Sequence, residues 1–86
     1  IMKHIRSNFK YPAIPKEMGI SEKIFVQFVI DKLGRITNAL VVRGEDKHLK
    51  EEALRLVNSI PKLQAAKQRG KPVPCSFTVP INFKLQ

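Results

Sequence analysis

Apolar side chains recur at Ile24, Val26, Phe28 and Ile30, while Phe25, Gln27 and Val29 take the opposite parity. A period of two over this length predicts a strand with one buried face. Asp31-Lys32-Leu33-Gly34 then reads as a turn with Gly34 at positive φ, and RITNALVVRG as the return strand of a hairpin. Downstream the period changes. Leu49, Ala53, Leu56, Val57 and Ile60 form one helical stripe. Asp46 is its expected N-cap, Glu51 and Glu52 read as charges toward the helix start, and Pro61 marks its end. Upstream, YPAIPKEMGI predicts a short helix with Pro15 in its first turn and Gly19 as its C-terminal cap. LQAAKQRGK reads as a basic connector punctuated by Gly70. The closing stretch KPVPCSFTVPINFKLQ places apolar residues on odd positions from Val73 to Leu85, as one strand would.

The order α-β-β-α-β constrains the sheet. The second helix returns the chain to the start of the second strand, so the third strand runs antiparallel to the first. A right-handed crossover sets it beside the first strand. The expected fold is therefore α+β, a two-layer arrangement with a three-stranded antiparallel sheet ordered 2-1-3 and two helices on one face. The last strand is then an edge. Pro72, Pro74 and Pro80 all carry even numbers. In an unbroken strand their missing N–H groups would point to one side, the open edge, where no ladder bond is lost.

Composition narrows the function classes. With 86 residues and 43% hydrophobic content, the chain suits one folded domain and not a disordered tail. No stretch approaches a membrane span or a signal-peptide core. The absence of Met at position 1 leads us to expect a piece of a longer parent, with residues 1–10 as lead-in and 11–86 as the domain. One cysteine, Cys75, excludes an internal disulfide and a cysteine-based zinc site, and it reads as a small buried hydrophobe. His4 and His48 lie in charged surroundings, and no catalytic triad order, paired carboxylates or metal-ligand spacing occurs. Neither enzyme activity nor a cofactor is expected.

The net charge of +9 favours polyanionic partners. Its one acid-free cluster is Lys62, Lys67, Arg69 and Lys71. Nucleic acid is not expected, because Phe25 and Phe28 are three apart and point to opposite faces, unlike the stacking aromatics of an RNA-binding strand. On the sheet face away from the helices, Phe25, Val29, Leu40 and Val42 would cluster. Two readings of that cluster stand: segments of the parent or a loop cover it, or it is a homodimer face.

The set YP at 11–12, GI at 19–20, IFVQFVIDKLGRI, VVRG at 41–44, LKEEALRLVNSIP and RGKPVPCSFTVPINFKLQ resembles the C-terminal domain of TonB, in the style common in Bacteroidetes. The resemblance runs from about Tyr11 to Gln86. The chain departs from the family pattern at Pro15, Glu22, Leu63 and Ala65. The resemblance implies a periplasmic, non-enzymatic domain of an inner-membrane-anchored energy transducer, coupled to ExbB and ExbD through its missing N-terminal part. Such a domain grips the TonB box of outer-membrane transporters, which adds as a strand beside the last strand. On that basis Ser76, Thr78, Asn82 and Lys84 would offer edge amides, with Arg69 and Lys71 at the entrance to attract an acidic peptide. The same domain also ends BlaR-type membrane metallopeptidase sensors, where it would be a sensory or docking module. In either parent the basic surface would also suit peptidoglycan or another cell-wall glycan.

Overall fold

The computed structural model describes residues 2–85. Its elements are α1 (Met2–Asn8), α2 (Ala13–Glu17), β1 (Glu22–Ile30), β2 (Ile36–Arg43), α3 (Lys47–Asn58), β3 (Ala66–Gln68), β4 (Lys71–Val73) and β5 (Cys75–Phe83). The main sheet is antiparallel and ordered β2-β1-β5, as expected from chain direction and a right-handed crossover; β3 and β4 form a separate two-stranded sheet.

Alternation along β1 supplies one layer of the core. Ile24, Val26, Phe28 and Ile30 are buried beneath Leu49, Ala53, Leu56 and Val57 of α3, with Ile81 and Phe83 of β5 completing the layer. The stripe of α3 faces the sheet because its first turn is secured: Asp46 Oδ1 accepts the Leu49 N–H at 2.9 Å. Glu22 adds a second anchor there. Its carboxylate accepts the backbone N–H groups of Glu45 and Asp46 at 2.9 and 3.0 Å, fastening the start of β1 to the approach to α3.

The hairpin turn is built by Asp31 and Gly34. Asp31 Oδ1 accepts the N–H groups of Leu33 and Arg35, and Oδ2 accepts Arg35 Nε at 3.0 Å. The Arg35 amide, helped by its guanidinium, holds the Asp31 carboxyl below its ordinary value. Gly34 has φ +82°, and a Cβ there would lie 1.7 Å from the Leu63 carbonyl oxygen. The chain leaving α3 crosses directly over this turn, with Leu63 N donating to Gly34 O at 2.7 Å.

α2 carries Pro15 buried within its first turn and ends at Gly19 with φ +71°. Gly19 N reaches Lys16 O and Ile20 N reaches Pro15 O, the paired bonds of a Schellman cap. The Tyr11 hydroxyl donates to the Ile20 carbonyl and locks the segment on both sides.

Three features differ from the sequence-based expectation. Residues 2–8, assigned to the lead-in, form α1, whose Ile5 is buried in the core; the helical layer therefore has three members. The basic connector folds as the β3–β4 hairpin around a two-residue Arg69-Gly70 turn, both at positive φ (+53° and +78°). The closing stretch is not one strand. Pro72 lies in β4, Pro74 falls at the break, and only Pro80 sits within β5. Pro72 is tolerated for a local reason. Gln68 and Lys71 flank the turn as a hydrogen-bonded pair, so the next pair, Lys67 and Pro72, needs no N–H from the proline.

Glu52 is also more than a charge near the helix start. It is buried, and it accepts Arg55 Nε at 2.6 Å, Arg55 Nη2 at 2.7 Å and the Lys10 N–H at 3.0 Å. Arg55 Nη2 reaches the Asn8 carbonyl as well. This cluster ties the α1–α2 link to α3.

Candidate functional site

β5 has β1 on one side and no strand on the other among the described residues. Which of its backbone groups face outward follows from one hydrogen bond on the far side of β1. Thr37 Oγ1, in β2, donates to the Val29 carbonyl at 3.2 Å. In an antiparallel ladder the N–H and C=O of one residue point to the same neighbour. Val29 therefore faces β2, and its cross-strand partner Ser76 is not hydrogen-bonded to it. Ser76 must aim its own N–H and C=O at the open side. The β1–β5 register is unbroken from Glu22↔Phe83 to Ile30↔Cys75, so the parity carries along the strand. Thr78, Pro80 and Asn82 also face outward, and odd-numbered residues bond β1. The proline of β5 sits where its missing donor costs the ladder nothing.

Ser76, Thr78 and Asn82 are exposed, and Gln27 Nε2 lies 3.5 Å from Ser76 Oγ. Lys84 falls one residue past β5, in an exposed tail held by Leu85 N donating to Ser21 Oγ at 3.1 Å. Arg69 occupies the tip of the β3–β4 hairpin and Lys71 flanks it, both exposed; this hairpin feeds into β5 through Pro74. The six residues thus lie on one continuous stretch, four along the edge and its exit and two on the basic hairpin before it.

The opposite sheet face carries Phe25, Val29 and Leu40, which lie opposite Arg43, Thr37 and Gln27. The Arg43 guanidinium sits 5.9 Å above the Phe25 ring. Val42 is about half exposed, like Leu40, and lies at a register shift with no β1 partner. A second shift occurs at Asn38, which has φ +53°.

A row of Asn8, His4 and Ser59 superficially suggests a nucleophile with its base. Its proton order runs the wrong way. Asn8 Nδ2 donates to His4 Nδ1 at 3.3 Å and Ser59 Oγ donates to the Leu56 carbonyl at 2.8 Å, so His4 Nε2 is the donor to Ser59 Oγ at 2.9 Å. A general base needs that nitrogen unprotonated. Among the described residues no group of His, Cys, Asp or Glu gathers as a metal site, and no helix is long and apolar enough to cross a membrane.

One feature escaped the sequence reading. A groove of about 340 Å³ separates α1 from β5, lined by Met2, Ile5, Arg6, Phe9, Ile81 and Asn82. The i, i+4 spacing of Ile5 and Phe9 was the signal for it.

A three-stranded sheet under a helical layer, with its last strand open along one side, defines a small α+β domain with an unpaired sheet edge. The family model described as Gram-negative bacterial TonB protein C-terminal matches residues 7–85, and the chain belongs to that family. It is thus a TonB-like domain of a periplasmic, non-catalytic interaction family. Among solved structures it is similar to the Helicobacter pylori TonB C-terminal domain spanning residues 179–285, with a TM-score of 0.81 and 26% identity over 99% of this chain and 77% of that one. A shorter fragment of the same protein, residues 194–285, has a TM-score of 0.63 and 24% identity, covering 98% of this chain and 90% of that one; this second likeness concerns the fold alone. No match is found among curated protein sequences.

Proposed function

We propose that the domain binds the TonB box of outer-membrane transporters by strand addition along β5, as the receptor-gripping end of an inner-membrane-anchored transducer coupled to ExbB and ExbD. The observation that carries this reading is the outward parity of β5. The even-numbered backbone groups from Ser76 to Asn82 are aimed at solvent in a strand already straightened by its ladder to β1. An added strand would satisfy them, with backbone bonds supplying affinity and side chains supplying selectivity. Arg69 and Lys71, on the hairpin that leads into the edge, would attract acidic residues of the peptide and raise its on-rate.

Amide chemical shifts provide the test. Titration of the labelled chain with TonB-box peptides from its own genome is expected to move Ser76, Thr78 and Asn82. Shifts confined elsewhere, or silence across the whole peptide set, would refute strand addition. Raising the salt should weaken binding if the hairpin cations contribute.

A further inference from the structure

The groove between α1 and β5 lies beside the edge, and two of its lining residues, Ile81 and Asn82, belong to the strand itself. Its other wall is α1 and the Phe9 that follows it, with Met2 43% exposed, Ile5 and Phe9 packed to the core, and Arg6 exposed. No acidic side chain lines it, and the Arg6 guanidinium takes part in neither of the ion pairs found among the described residues. The groove therefore combines an apolar floor, a cationic rim and a row of unused backbone bonds.

We propose that this groove is a side-chain subsite for the added strand: it takes one aliphatic residue of the peptide, with an acidic residue nearby in the peptide meeting Arg6. The inference rests on strand addition to β5 and states what would select among peptides. A strand paired beside Asn82 must send alternate side chains to the helical face of the sheet. There it meets α1, which leaves a groove at this position in place of a packed contact. The backbone edge is indifferent to sequence, whereas an apolar slot with a positive rim is not. The first helix would then act as a reader of the peptide, and not only as a cover for the core.

The test follows methyl groups and amides together in one titration with TonB-box peptides and with versions in which the aliphatic residue is Ala or the acid is Gln. The expected result is movement of the Met2, Ile5 and Ile81 methyl signals alongside the edge amides. Roughly tenfold weaker binding is expected for the Ala version and for Met2→Glu with the parent peptide. Arg6→Glu should weaken the acidic peptide several-fold and leave the Gln version unchanged. Both substituted side chains are exposed, so folding should survive. If edge amides shift while the methyl signals stay still and both variants bind normally, the subsite falls and strand addition stands. If no peptide moves the edge, both fall. If methyl signals move alone, the groove takes its ligand without a strand, and the proposal is overturned.

Discussion

Proline placed on either parity of β5 separates the outward-facing amides from the ladder. Val79 pairs with Val26 on the hydrogen-bonded parity, whereas Thr78 lies opposite Gln27 on the open parity. Val79→Pro removes an N–H from the β1–β5 ladder and strands a carbonyl on the central strand, which costs about 1–3 kcal/mol. Thr78→Pro removes an N–H that bonds only water. Its loss of fit is partly offset by a stiffer unfolded chain, a gain of about 0.4–1 kcal/mol where the backbone is compatible. The two variants should therefore differ by about 2 kcal/mol in stability. For a domain of this size that separates their Tm values by roughly 8–16 °C. Thermal and urea unfolding followed by circular dichroism measure the gap, with Val79→Ala as a control for the lost side chain. Thr78→Pro should keep a near-native Tm yet weaken TonB-box binding. Equal destabilisation by the two prolines, or the reverse ranking, would refute the parity drawn from Thr37 and Val29.

Gly34→Ala should lower stability by more than about 2 kcal/mol, because a Cβ at φ +82° would collide with the Leu63 carbonyl; urea midpoints will show it. Glu22→Ala should cost about 1–2 kcal/mol through loss of two backbone bonds, again measured by urea unfolding. The Asp31 carboxyl is held below its ordinary value of 3.8, first by the Arg35 amide. A depressed folded value stabilises above the unfolded value and is lost as pH falls through the folded one. Stability should thus decline below about pH 4, and Asp31→Asn should flatten that acid limb in midpoints measured from pH 6 to pH 3.

The parts legible in the sequence are those fixed by local chemistry. The strand over 22–30, its turn at Asp31 and Gly34, and the Asp46-capped helix each carry a period and a terminator close together. The order 2-1-3 followed from chain direction together with the right-handed crossover rule. What escaped notice has weak local signals. The strands β3 and β4 hold three residues each, too few for alternation to emerge, and Lys67 and Gln68 look like any solvated stretch. α1 commits only Ile5 fully to the core, so its periodicity rests on one residue and its neighbour Phe9. The register shifts of β2 depend on its pairing with β1 and leave no trace in its own sequence beyond an asparagine suited to positive φ. For the edge, the parity of three prolines pointed the right way on uneven grounds. Only Pro80 lies in β5, and the decisive bond comes from a threonine two strands away.

That bond has a consequence in time as well as in space. Along β5, neighbouring amides should exchange their hydrogens with solvent at very different rates. Cys75, Phe77, Val79, Ile81 and Phe83 would open only with the sheet, while Ser76, Thr78 and Asn82 exchange freely. One strand thus carries two clocks in alternation. A ligand laid along the edge would slow the fast set and leave the slow set as it was.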